Sequence, residues 1–131
     1  MREIRFLRIL LTALAVTVIS IGIVTLVITG YGMKLAVESG GTPDQAMIET
    51  FVAKHASWMG SVSSAILLFL GAFHVARKVP ERKVLNAFLV GVFLALLHLK
   101  FVGEIQAFPF FLDLSRTLLL AFLGGMTGAR K

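Results

Sequence analysis

Residues 77–83, Arg-Lys-Val-Pro-Glu-Arg-Lys, separate two long apolar segments, one opening near Ala56 and the other closing near Val102. About 20 apolar residues is the length a helix needs to cross the hydrocarbon core of a bilayer. There is no water there, so backbone groups must bond within the segment, which restricts a single crossing segment to a helix. Four cations in so short a connection favour the cytoplasmic side. The pair therefore reads as a transmembrane helical hairpin turning at Pro80, which lacks the N–H a continuing helix needs.

One apolar run precedes this hairpin and one follows it. The expected fold is all-α: an integral membrane four-helix bundle in a single domain over residues 1–131, with spans near 7–29, 53–76, 84–102 and 113–128. Composition agrees, because a 131-residue chain that is 57% hydrophobic with mean hydropathy +0.90 carries more apolar surface than a soluble domain of its length buries. The formal charge of +6 does not point to nucleic acid. Its cations gather at span ends rather than in a stripe with interleaved aromatics. With no cysteine in the chain, disulfides and thiolate metal sites are excluded.

Arg2, Arg5 and Arg8 precede the uncharged run Ile9 to Thr29, which exceeds the roughly 7–15-residue apolar region of a signal peptide. Gly30, Gly32, Gly40 and Gly41 then predict a loop carrying Tyr31, Lys34 and Glu38. Thr42-Pro43-Asp44-Gln45 reads as a helix start, with Thr42 as N-cap, Pro43 at the first helical position and Gln45 completing a capping box. The segment 43–52 is amphipathic and either lies on the headgroups or begins one long helix with the second span.

Small residues set the packing expectations. Ala56, Gly60 and Ser64, beside Ser57, Ser61 and Ala65, make a strip on the second span that suits the third span or another protomer. Ala87, Gly91 and Ala95 repeat the device on the third span, and Ala121 and Gly125 on the fourth. Asn86 is expected to hydrogen-bond across to another helix. Cation counting sets orientation: Arg2, Arg5, Arg8, Arg77, Lys78, Arg82, Lys83, Arg130 and Lys131 are nine of the thirteen Lys and Arg residues. Both termini and the 77–83 connector are accordingly expected to be cytoplasmic.

The polar residues suited to chemistry collect toward the outer side. His55 and His98 fall at comparable depth on neighbouring spans, the arrangement a haem iron, a pigment or a proton relay would use, although neither belongs to a spaced ligand motif. His74 lies at the other boundary. Asp113 is expected to cap the last helix. It would pair with Arg116, with Glu104 as an alternative partner, or the arginine would contact an anion. Lys100 and Glu104 are four apart and would pair on a helix surface. No hydrolase, kinase or nucleotide-binding motif occurs, so no enzyme, metal or resident cofactor is expected.

The stretches Phe69-Leu70-Gly71-Ala72-Phe73-His74-Val75-Ala76-Arg77-Lys78, Ala87-Phe88-Leu89-Val90-Gly91 and Gly124-Gly125-Met126-Thr127-Gly128 resemble those of small four-span bacterial membrane proteins whose function is not established. That resemblance implies architecture only; the location expected for the chain is a bacterial inner membrane. The leading functional reading is a non-enzymatic membrane protein acting through helix association, with itself or with other membrane subunits. A small transporter or channel with its pathway between protomers comes second, and a haem- or pigment-binding electron-transfer subunit third.

Overall fold

The computed structural model describes residues 6–101 and 107–130, with side chains described over 6–97 and 112–130. The described residues form four helices and no strand: α1 (Phe6–Glu38), α2 (Gln45–Lys78), α3 (Lys83–Phe101) and α4 (Ala107–Ala129). Among the described residues, α1 and α2 are the helices long and apolar enough to cross a membrane. The chain divides into two compact units, residues 18–64 and residues 1–17 with 65–131.

The unit formed by residues 18–64 is a two-helix hairpin. The expected loop from Gly30 to Gly41 is corrected here, because α1 continues through Gly30 and Gly32 and ends only at Glu38. Glycine costs a helix about 1 kcal/mol relative to alanine but does not break it. Contacts with α2 hold the segment: Tyr31 stacks on Phe51 with ring centroids 4.0 Å apart, and a Cβ at Gly32 would meet Ile48 Cδ1 at 3.5 Å. The stop comes at Gly40, whose φ of 74° is left-handed. Gly41 N–H donates to Ala36 O at 2.9 Å and Gly40 N–H to Val37 O at 3.4 Å. This paired pattern is the Schellman ending, which satisfies carbonyls that the helix leaves open.

The expected Thr42 cap is also corrected. Asp44 Oδ1 accepts from Ala46 N at 2.9 Å, and Asp44 O accepts from Ile48 N at 3.2 Å, so Asp44 is the N-cap and Pro43 precedes it. A carboxylate is a strong cap and complements the positive helix end. Thr42 instead accepts a bond at its carbonyl from Ser39 Oγ. From Gln45 the helix is continuous to Lys78, so of the segment 43–52 the residues from 45 on are the start of one long helix.

The other unit holds the core, in which Ile9, Ala13 and Val16 of α1 meet Leu68, Ala72, Val75 and Ala76 of α2, Ala87, Val90 and Leu94 of α3, and Ala121 of α4. Arg8 Nη1 donates to Lys78 O at 3.0 Å, placing a cation on the negative end of α2. The turn at 79–82 needs a left-handed residue, Arg82 with φ 47°. Asn86 Nδ2 donates to Glu81 O at 3.2 Å and Arg82 O at 3.1 Å, so its amide ties down this turn instead of bridging helices, a correction to the expectation. Finally, α4 opens at Ala107, six residues before the expected cap Asp113. Pro109 is no obstacle because the first-turn N–H groups have no helical acceptor.

Candidate functional site

The small residues of α4 point in two directions. A Cβ on Gly125 would lie 2.7 Å from Ala87 Cβ, and one on Gly91 would lie 2.7 Å from Ala121 Cβ, so Ala87, Gly91, Ala121 and Gly125 form one antiparallel seam between α3 and α4. On the other side, a Cβ on Gly124 would lie 2.6 Å from Phe69 O and one on Gly128 2.5 Å from Phe73 O, with Ala72 and Ala76 beside them. There α4 runs parallel to α2, close enough for Cα–H···O contacts. Ala95 is buried as well. The helix-packing residues of α3 and α4 are therefore consumed inside the chain.

On the second span the stripe meets α1. Ser64 Oγ donates to Ser20 Oγ at 3.0 Å, with Ser20 buried, and Val24 Cγ2 would be the nearest atom to a Cβ on Gly60, at 3.9 Å. Its neighbour within the chain is the first helix rather than the third span, one of the two neighbours expected. Approach at Gly60 is ordinary; the tight contacts of α2 lie further along, at Gly71, Ala72 and Ala76. The four-residue spacing of Ala72 and Ala76 against Gly124 and Gly128 is the signal that reveals this second seam.

The described residues also enclose a shallow cleft of about 330 Å³ at the closed end of the 18–64 hairpin, lined by Tyr31, Ala46, Met47, Thr50, Phe51, Lys54 and His55. Its wall is aromatic: Tyr31 lies flat on Phe51, and the His55 ring follows at 4.8 Å from Phe51. Lys54 is the one charged residue on the lining. Nearby Lys34 pairs with Glu38 at 3.7 Å on the exposed side of α1. His55 stands out in the sequence but the cleft does not, because Tyr31 joins it only when the helix runs through Gly30 and Gly32.

His98 and Lys100 have side chains outside the described set, and Glu104 lies outside the described residues. Asp113 and Arg116 are exposed on α4, and His74 is exposed on α2. No group of three or more His, Asp or Glu side chains suited to a metal ion occurs among the described residues. Comparison with protein-family models, with curated proteins and with solved structures finds no match for this chain.

Proposed function

We propose that this is a non-enzymatic four-helix protein of a bacterial inner membrane, with cytoplasmic termini, that acts by associating with a partner membrane subunit or a second copy. The observation that carries the reading is the uncovered apolar surface of the long helices. Only 17% of the most apolar window of α1 and 28% of that of α2 is buried. A core helix of a soluble protein hides most of such a window, whereas Leu26 and Val18 here are 73% and 67% exposed. Lipid tails cover surface of that kind without cost.

Lipid does not account for all of it. α1 has 33 residues and α2 has 34, about 50 Å each at 1.5 Å per residue, against a hydrocarbon core of about 30 Å. Residues beyond the uncharged runs stand at or past the headgroups. Among them Val37 is 83% exposed, and Met33, the last uncharged residue before Lys34, is 66% exposed. An associated subunit is what would cover them, which favours association over solitary function.

The membrane reading is tested by alkaline carbonate extraction and by single cysteines placed at Ser39 and Glu81 in this cysteine-free chain. The protein should stay with the membrane pellet, and an impermeant reagent should label position 39 but not position 81 in intact cells. Labelling of both from outside refutes the orientation. The association reading is tested by native mass measurement of the assembly, and a strictly monomeric particle in mild detergent would overturn it.

A further inference from the structure

We propose that the cleft between Tyr31 and Lys54 holds the phosphate headgroup of an anionic phospholipid such as phosphatidylglycerol. The inference rests on the membrane reading, which puts this end of the hairpin at the outer headgroup level. The uncharged stretch of α1 ends just before Lys34, and that of α2 begins just after Lys54. The cleft lies at that boundary on both helices. Its volume of about 330 Å³ suits a compact head rather than a whole lipid.

The lining divides in the way an amphiphilic ligand requires. Lys54 supplies a cation and the Tyr31 phenol a hydrogen-bond donor for phosphate oxygens. Met47 and the Phe51 ring give apolar walls for the glycerol and first acyl carbons. The stacked rings of Tyr31 and Phe51 keep the wall rigid, so little side-chain freedom is lost on binding. Charge decides between headgroups: phosphatidylcholine brings its own trimethylammonium beside Lys54, whereas phosphatidylglycerol brings only negative charge. Toward the middle of the spans, Val27, one helical turn before Tyr31, and Val62, two turns after His55, are exposed apolar side chains that acyl chains can contact.

The test uses the full chain, purified in detergent and equilibrated with equal amounts of phosphatidylglycerol and phosphatidylcholine, with retained lipid read by native mass spectrometry. Phosphatidylglycerol should be enriched severalfold. Lys54→Gln should reduce that enrichment about fivefold, the effect of one cation at an anionic membrane surface. Lys34→Gln, a lysine near the same end but off the lining, should leave it unchanged, and circular dichroism should show all variants equally helical. Equal retention of the two lipids, or an unchanged Lys54→Gln, overturns the proposal. An equal loss in Lys34→Gln overturns it too, since that reports general surface charge. Inorganic phosphate should neither bind nor displace the lipid; displacement that depends on Lys54 would assign the cleft to free phosphate instead. Carbonate extraction of the same protein separates the two failures. A protein that stays in the membrane without lipid preference loses only the cleft assignment, while one released as soluble loses both readings.

Discussion

Alanine at Gly124 or Gly128 is the most searching perturbation of this fold. At either site the new methyl meets main chain rather than a movable side chain: Phe69 O at 2.6 Å from the one and Phe73 O at 2.5 Å from the other. A carbon normally stands about 3.3 Å or more from a carbonyl oxygen even in a favourable C–H···O contact. The helices would therefore have to separate by about 0.7 Å, the difference between that distance and the 2.6 Å available at Gly124. Both partners are helix backbone, so the shift propagates along the seam to Ala72 and Ala76. Overpacking of this kind costs about 1–3 kcal/mol, against which the better helix propensity of alanine returns up to about 1 kcal/mol.

Gly22 and Gly30 are the internal standards, because a Cβ at either meets nothing within 4 Å. Alanine there gains the propensity term with no clash, so it should be neutral or stabilising by up to about 1 kcal/mol. The separation between the two classes is then roughly 2 kcal/mol, read as the SDS fraction at which helical circular dichroism is lost in mixed micelles. Gly124→Ala combined with Gly128→Ala should cost less than the two separately, since helices already forced apart accept the second methyl. If Gly124→Ala unfolds at the same SDS fraction as Gly22→Ala, the parallel α2–α4 seam is wrong.

Asn86→Asp should lower stability by about 3 kcal/mol or more, since a buried carboxylate would face the Glu81 and Arg82 carbonyls that the amide now serves. Asn86→Ala should cost less, and a thermal denaturation series that reverses that order refutes the amide's role. Ser20→Ala and Ser64→Ala should each cost about 0.6 kcal/mol, the usual worth of a hydroxyl bond between helices in lipid, with the double variant no worse than either single one. Arg8→Gln should cost about 0.5–1 kcal/mol by removing the cation from the end of α2, with the loss shrinking as salt is raised.

The turn at 79–82 and the near-terminal bounds of α3 were legible because Pro80 and the charge run leave a helix little choice. The glycines of α1 were not, because glycine serves both a left-handed turn and a close helix contact. Gly40 is the first kind, while Gly30 and Gly32 lie within α1 and Gly124 and Gly128 are the second kind. Only the neighbour distinguishes them, and the neighbour belongs to tertiary structure. Asp44 prevailed over Thr42 as the cap within a four-residue window where both satisfy the local rules. The small residues at Ala87, Gly91, Ala121 and Gly125 were recognisable as packing positions, but the spacing that marks them does not say whether the partner helix is in the same chain.

That ambiguity bears on where association can occur. Small-residue seams are the usual means by which helices adhere in lipid, since no hydrophobic drive separates helix from solvent there. In this chain the tightest of them, at Gly91, Gly124, Gly125 and Gly128, are already closed against α2, α3 or Ala121 of α4 and have no face left for a partner. Among the helical glycines, Gly22 and Gly30 of the 18–64 hairpin are still open, since a methyl added to either would find no side chain or backbone within 4 Å. Leucine at Gly22 should therefore leave the unfolding midpoint of the monomer unchanged while lowering the mass of the assembly, because it adds bulk only where a second chain would sit. Loss of monomer stability with assembly intact would move the interface away from the hairpin and return the exposed face of α1 to lipid.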